Sequence, residues 1–286
     1  MGLRALFAGL SIDAKSQVYT PGFNATLGRV TQLVTIHDLI HLQSSDETSM
    51  SKKLYYEKII RPAIFRAGVV HTVSEYSKSQ IENWLGSKNV SVVNVGNGVS
   101  NVFYREGRIA PTELNPRFVY VGNLKSHKNA RVIFDALRLR PNYSVDFVTS
   151  GRNEVTQRAI ASGVESQVTS ISGISDIDLA GLYERSSGLL FPSLLEGFGL
   201  PPLEALMAGT PVAYSRECSA VAEVVGQAGY AVDDSGSPSG WAQGMDYLVE
   251  SRQIVPDEVR AGLRSKYSWD GVGERVQESL NEWVRK

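Results

Sequence analysis

Short apolar runs alternate with helical patterns along nearly all of this chain, and that alternation limits its fold more than any other feature. In the first half, residues 17–20 and 30–36 read as strands. Residues 50–67 read as a helix with Tyr56, Ile60, Ala63, Ile64 and Ala67 on one face. Residues 69–73 form a buried strand. Ser74 then caps a helix running toward Leu85, with Glu75 in its first turn. Residues 90–95 are another strand, ending in the turn Gly96-Asn97-Gly98-Val99. A charged, proline-containing stretch, 105–116, has the composition of a linker. A second series follows, with strands at 118–122, 145–149, 167–172, 188–192 and 211–214. Helices lie between them at 129–139, 153–162 and 175–186, after the loop that follows 188–192, and through 221–225. The tail, 237–286, is mainly helical. Strands alternating with helices predict an α/β fold built on parallel sheets. Such sheets bind ligands outside the carboxyl ends of their strands. That directs attention to the loops 37–41, 96–99, 122–128, 150–152, 172–175 and 193–200.

Composition excludes several classes of function. The 286 residues suffice for one large or two ordinary domains, and the formal net charge of −1 gives no electrostatic footprint for nucleic acid. The single cysteine, Cys218, rules out an internal disulfide and suits a reducing compartment. With no conspicuous His partner nearby in sequence, Cys218 reads as a packed residue rather than a nucleophile. No apolar run has bilayer length, and the N-terminus lacks the pattern of a signal peptide. Peripheral membrane contact stays open, although no obvious basic amphipathic stretch demands it.

The stretch Glu196-Gly197-Phe198-Gly199-Leu200-Pro201-Pro202-Leu203-Glu204 carries the most chemistry. The apolar run before it is a strand, and a proline suits the first turn of the helix that follows. Gly197 and Gly199 let backbone amides approach a ligand. A helix start supplies orphan N–H groups and partial positive charge, a seat for an anion. Two carboxylates beside an anion cradle fit a sugar that carries a phosphate. The alternative is a strand–turn–helix corner with two solvated glutamates. Between strand and helix in the same series lie Gly122, Asn123 and Lys128. Lys128 at a helix start can place a point charge on a phosphate, or can be an ordinary solvated loop lysine. The spacing is not that of a P-loop, and no Gly-x-Gly-x-x-Gly fingerprint is present. His37 ends a strand, where it can face a ligand and exchange a proton. His37 and His41 stand four apart on an extended segment, so a metal pair is not expected, and no metal site is predicted. His71, inside a strand, reads as a core histidine.

Taken together, these segments resemble a retaining glycosyltransferase of family 4, which has the two-domain GT-B architecture. Residues 191–205 match that family's Glu-x₇-Glu motif and its flanks. Ala208-Gly209-Thr210-Pro211-Val212 and Glu223-Val224-Val225-Gly226 continue the match. Val121-Gly122-Asn123-Leu124 with His127-Lys128-Asn129 matches the first loop of its C-terminal domain. Thr35-Ile36-His37-Asp38-Leu39, Thr72-Val73-Ser74-Glu75 and Asn97-Gly98-Val99 match in the N-terminal half. Within the family the flavour resembles the mannosyltransferases of bacterial surface-polysaccharide and lipopolysaccharide pathways.

The resemblance implies two Rossmann-like domains with a cleft between them. The N-terminal, acceptor-side domain would span 1–107 and the nucleotide-sugar-binding domain 108–266. The last helix, 267–286, would pack back toward the first domain. His37, Lys128 and Glu196 would be catalytic: His37 near the reacting carbon, Lys128 on the leaving diphosphate, Glu196 beside the donor sugar. Gly122 and Asn123 belong to the loop that carries Lys128. The amides of Gly197, Phe198, Gly199 and Leu200 would lie near sugar and diphosphate, Glu204 on the ribose, and Ile174 against the nucleobase. The donor would be a GDP- or UDP-linked hexose, with no cofactor and no bound metal. The acceptor would be a glycan or a lipid-linked sugar, and the location cytoplasmic or peripheral at the inner face of the membrane.

Three departures accompany the resemblance. Asn123 stands where the family often has an Arg partnering the phosphate-binding Lys, and Ala222 where a Pro is common. The family's opening strand and Gly-rich loop are not visible before Val18, a shortfall of about two βαβ units of roughly 30 residues each. Residues 1–12 are then expected to be the last helix of the shortened part. An exposed sheet edge follows, for a partner or a second copy of the chain to cover. A second reading is therefore a degenerate or partner-dependent nucleotide-sugar-binding module. A third, an epimerase or phosphorylase of the same architecture, is less well matched, and a phosphorylase would be expected to hold pyridoxal phosphate.

Overall fold

The computed structural model describes residues 12–13, 15–28, 30–44, 47–104, 115–250 and 255–285. The helix expected within residues 1–12 and most of the linker expected at 105–116 lie outside the described residues. The chain divides into two compact units, Met1–Gly98 with Trp269–Lys286 and Val99–Ser268. That division falls ahead of the 107/108 boundary implied by the resemblance, and it groups the last helix with the first unit.

The first unit contains strands β1 (Gln17–Thr20), β2 (Thr31–Val34), β3 (Val69–Thr72) and β4 (Ser91–Asn94), paired in parallel as β1–β2 and β3–β4. A bridge from Thr35 to His71 joins the two ladders. A short helix, α1 (Ile40–Gln43), occupies part of the segment read as a loop, because Asp38 Oδ1 accepts the Ile40 amide at 2.9 Å. The predicted 50–67 helix is α2 (Met50–Tyr55), a π turn (Tyr56–Ile60) and α3 (Arg61–Ala67) in direct succession. The wide turn falls just ahead of Pro62. In a regular helix, the Pro62 ring would clash with the carbonyl four residues back. Tyr56, Ile60, Ala63 and Ile64 are buried, as the periodicity requires. Ser74 caps α4 (Glu75–Leu85), accepting the Ser77 amide.

The second unit is built on a six-stranded, wholly parallel sheet. Its strands are β5 (Arg117–Val121), β6 (Ser144–Val148), β7 (Val168–Ile171), β8 (Gly188–Phe191), β9 (Val212–Ser215) and β10 (Gly229–Val232). The helices are α5 (Arg131–Leu137), α6 (Arg152–Ser162), α7 (Asp176–Arg185), α8 (Leu200–Met207), α9 (Ser219–Val225), α10 (Pro238–Glu250) and α11 (Asp257–Lys266). The spatial order is β10-β9-β8-β5-β6-β7. In chain order from β5 this is 3-2-1-4-5-6, the doubly wound order of dinucleotide-binding sheets. Its direction of winding reverses between β5 and β8. Every residue of β8 and β9 is buried, as expected for central strands covered on both faces. Phe134 stacks on Phe147 at 4.7 Å between ring centroids, in a core that also holds Phe118, Trp241, Met245 and Leu248. β10 was not foreseen from sequence.

The last helix, α12 (Trp269–Val284), packs within the first unit. Arg275 Nε donates to the Val95 carbonyl at 2.8 Å, and Trp283 Nε1 donates to the Ala67 carbonyl at 3.0 Å. His71 Nε2 lies 2.8 Å from Ser279 Oγ, while its Nδ1 is buried without a partner. Burial pulls the His71 imidazole down to about 4, so it is neutral at physiological pH.

Candidate functional site

The switch in winding direction sets the loops after β5 and β8 side by side, the place where such sheets bind ligands. The loop after β5 begins at Gly122, whose φ is +149°. A Cβ there would stand 3.3 Å from the Tyr120 hydroxyl, and that hydroxyl donates to the Asn123 carbonyl at 2.5 Å. The Asn123 side chain is exposed, and its Oδ1 accepts the Lys125 amide, so it shapes its own turn. A single 3₁₀ turn, Ser126–Lys128, then delivers Lys128. Asn129 closes the turn in the left-handed region, φ +49°, and its side chain donates to the Ser235 carbonyl.

Lys128 meets the second loop directly. Its Nζ lies 2.5 Å from Glu196 Oε1, across 68 residues of sequence. The Lys128 and Glu196 side chains are 17% and 13% exposed, so solvent screens the pair only in part. The ammonium also sits 5.8 Å from the centroid of the Phe191 ring. Below the side chains, the Leu194 amide donates to the His127 carbonyl, tying the two loops through backbone. Ser215 Oγ fixes the Pro192 carbonyl at 2.9 Å. Gly197, Phe198 and Gly199 are buried. The Phe198 ring packs edge-on against Tyr267 at 5.4 Å, so only its backbone is left for a ligand. Gly199 has φ +120°, and a Cβ there would stand 3.3 Å from Val221 Cγ2. This backbone needs glycine. Helix α8 begins immediately afterwards, with proline in its first turn as the sequence indicates.

Glu204 lies one turn into α8. Tyr183 Oη donates to Glu204 Oε2 at 3.1 Å. Burial pushes the carboxyl up to about 7, while the Tyr183 hydrogen bond pulls down and Asp176 adds a repulsive push upward. No described group bonds Oε1, and that oxygen is not among the buried unbonded atoms, so it faces solvent. Ile174 is half-buried in the loop between β7 and α7, just ahead of Ser175, which caps α7. In the first unit, His37 is exposed at the end of β2, with Nε2 3.2 Å from the Pro21 carbonyl. Cys218 is buried, and burial pushes its thiol up to about 12, which is inert packing chemistry. Among the described residues, no cluster of three or more His, Cys, Asp and Glu side chains is placed to hold a metal ion. No helix of the described residues is long and apolar enough to cross a membrane.

Within the second unit, the structure brings together Lys128 with Glu196 and Glu204 with Tyr183. Sequence reasoning did not single out Tyr183. In the pattern of α7 it reads as one more inward residue beside Leu179, Ala180 and Leu182.

The fold is the GT-B class of α/β fold. The chain superposes on sucrose-phosphate synthase from Thermosynechococcus elongatus with a TM-score of 0.74 at 18% identity, covering 90% of this chain and 69% of that one. The chain belongs to the family described as Glycosyl transferases group 1, which matches residues 108–265. It is 27% identical over 241 residues to O-antigen chain mannosyltransferase B of Escherichia coli, covering 77% of this chain and 62% of that protein. It is 24% identical over 233 residues to GDP-mannose:cellobiosyl-diphosphopolyprenol alpha-mannosyltransferase of Komagataeibacter xylinus, covering 77% of this chain and 58% of that protein. The chain therefore spans less than two thirds of the length of either relative.

Proposed function

We propose that this chain binds a nucleotide-diphosphate sugar and takes part in retaining hexosyl transfer to a glycan or lipid-linked acceptor, in surface polysaccharide synthesis. The observation that carries the reading is the meeting of Lys128 with Glu196 at the β5/β8 switch point, beside the start of α8. Lys128 and the α8 amides supply positive charge where a leaving diphosphate gains negative charge. Glu196 serves the sugar and Glu204 the ribose through its open Oε1. Ile174 lies against the base. In front-face displacement, the bond from the anomeric carbon to the phosphate oxygen breaks as the bond to the acceptor oxygen forms. The acceptor proton passes to the departing phosphate oxygen, so no separate base and no resident metal is needed. The names of the two curated relatives favour mannose as the sugar, and one of them names GDP-mannose. GDP is thus favoured over UDP.

The test is transfer or donor hydrolysis by the full chain across a panel of nucleotide sugars. A folded chain that binds GDP or UDP yet turns over no donor until a second protein is added supports the partner-dependent reading instead. Asn123, which stands where an Arg is common, motivates that second reading.

A membrane-surface location is favoured by the solvent face of α2 and α3. Met50, Leu54 and Phe65 are 80%, 56% and 43% exposed there. Lys53 on α2, Lys58 on the π turn and Arg66 on α3 are exposed as well. The acid among them, Glu57, is engaged by Arg61 at 3.0 Å and by Trp84 Nε1 at 2.8 Å. Exposed apolar side chains interleaved with unopposed cations suit an anionic lipid surface. The reading places the chain in the cytoplasm, peripheral at the inner face of the membrane.

A further inference from the structure

Tyr183 is held far more firmly than a core tyrosine requires. It is fully buried at the end of α7. Its backbone carbonyl accepts three donors: Thr210 Oγ1 at 2.7 Å, Ser186 Oγ at 2.8 Å and the Ser186 amide at 3.1 Å. These pin the last turn of the helix. Its ring packs on Phe103 at 6.1 Å between centroids. With helix end and ring fixed, the hydroxyl has one direction in which to point, and it points at Glu204 Oε2. The carboxyl is thereby presented asymmetrically, with Oε2 occupied by the tyrosine and Oε1 open.

We infer that Tyr183 is a positioning residue of the nucleotide site, which fixes the rotamer of Glu204 by holding Oε2 and so presents the other oxygen to the ribose hydroxyls. The inference rests on the reading of Glu204 as the ribose ligand. Burial raises the phenol well above its usual range, so Tyr183 keeps its proton and donates. A donor aimed at a carboxylate favours the ionised form, and here it opposes the burial that pushes Glu204 up to about 7. Of the ionisable groups on the helices and strands packed on α8, which are α7, α9, α11, β8 and β9, Tyr183 and Asp176 of α7 are the ones that act on the Glu204 carboxyl. Tyr183 bonds Glu204, and Asp176 adds a like charge. Arg260 Nε is engaged at the far end of the helix, on the Met207 carbonyl.

The test is calorimetric titration of the full chain and its variants with GDP and with 2′,3′-dideoxy-GDP, between about pH 5.5 and 9. The dideoxy probe has the same phosphates and base but offers no ribose hydroxyl. For the unaltered chain, the advantage of GDP over the dideoxy probe should grow as pH rises through the Glu204 titration. In Tyr183→Phe that rise should move to higher pH, and near neutrality GDP should bind roughly ten-fold more weakly. Binding of the dideoxy probe should be unchanged, which also shows that the variant is folded. A wild-type pH profile in Tyr183→Phe overturns the inference, as does equal weakening of both probes. Glu204→Gln separates the two levels. If it binds GDP with the unaltered profile, the ribose assignment itself fails and the inference fails with it. If it loses the preference for GDP while Tyr183→Phe keeps it, only the role of Tyr183 is lost.

Discussion

Lys128 Nζ lies 2.5 Å from Glu196 Oε1, so this cation and carboxylate neutralise each other. A phosphate that approaches Lys128 competes with a carboxylate already in place. Lys128→Ala removes the attraction and Glu196→Gln removes the competitor, so the two should act in opposite directions on nucleotide affinity. Lys128→Ala is expected to weaken GDP binding by about ten- to hundred-fold, the loss of one charge-assisted contact of about 1.5–3 kcal/mol. Glu196→Gln should bind GDP at least as tightly as the unaltered chain while losing sugar transfer. Calorimetry on both variants checks the first pair of outcomes and a transfer assay the last. Equal weakening in both would show that the pair acts as one anion-binding unit.

The Glu204 carboxyl costs the folded chain stability at alkaline pH. It is raised to about 7 in the folded chain, above the ordinary unfolded value near 4.3. The folded state therefore holds the proton more tightly than the unfolded state, and stability falls as pH rises from about 4.5 through 7. Because the side chain is partly exposed, the cost at pH 8 is about 1–3 kcal/mol. Glu204→Gln should raise the melting temperature at pH 8, change it little at pH 4.5, and weaken nucleotide binding. A variant equally stable at both pH values, relative to the unaltered chain, would rule this out.

His71 has the opposite pH signature. Its imidazole is lowered to about 4 by burial, below the unfolded value near 6.5. The unfolded state takes up a proton that the folded state refuses, so stability is lost as pH falls from about 6.5 to 4, by up to about 3 kcal/mol. Urea unfolding of the chain at those two pH values should show the loss. His71→Gln should flatten it, at the cost of some stability at neutral pH. A pH-independent midpoint in the unaltered chain over that range would contradict the assignment.

Gly199 occupies a backbone conformation, φ +120°, that side chains rarely adopt, and a Cβ would press on Val221. Gly199→Ala is expected to cost about 1–3 kcal/mol and to displace the start of α8. Gly163→Ala, at φ +68° with open space around it, is the comparison. Both should lower thermal stability, and only Gly199→Ala should lower nucleotide affinity.

The exposed face of α2 and α3 makes a separate prediction. Sedimentation with vesicles should show binding to anionic lipid and little to neutral lipid, since each Lys or Arg near such a surface contributes about 1 kcal/mol. Leu54→Glu with Phe65→Glu should abolish it without altering GDP affinity. Equal binding to neutral and anionic vesicles would remove the charge argument.

Much of the site could be read in the sequence because its parts are local. The glycines, the prolines and the carboxylate spacing of 196–204 describe a strand, a tight loop and a helix start, and each depends on backbone conformations set within a few residues. The Ser74 cap and the buried face of 50–67 were legible for the same reason. β10 was not: Gly229, Tyr230 and Ala231 are only half-buried, so no alternation or apolar run marks the strand. The π turn was missed because helical periodicity carries no mark of a single widened turn. Tyr183 was missed because a side chain that turns its hydroxyl to a carboxylate has the same pattern as one that merely fills space.

The sequence by itself determined the alternation of strands and helices, the loops that end each strand, and the residue types on those loops, because these follow from periodicity, caps and glycine. Only the tertiary structure decided that β5 lies beside β8, and hence that Lys128 meets Glu196 across 68 residues. It also decided that Glu204 is half-buried against Tyr183 with one oxygen held and the other open. Strand order comes from how the crossover helices pack on both faces of the sheet, an interaction between distant segments. Burial then sets the protonation of a carboxyl whose place in the motif the sequence shows but whose surroundings it does not.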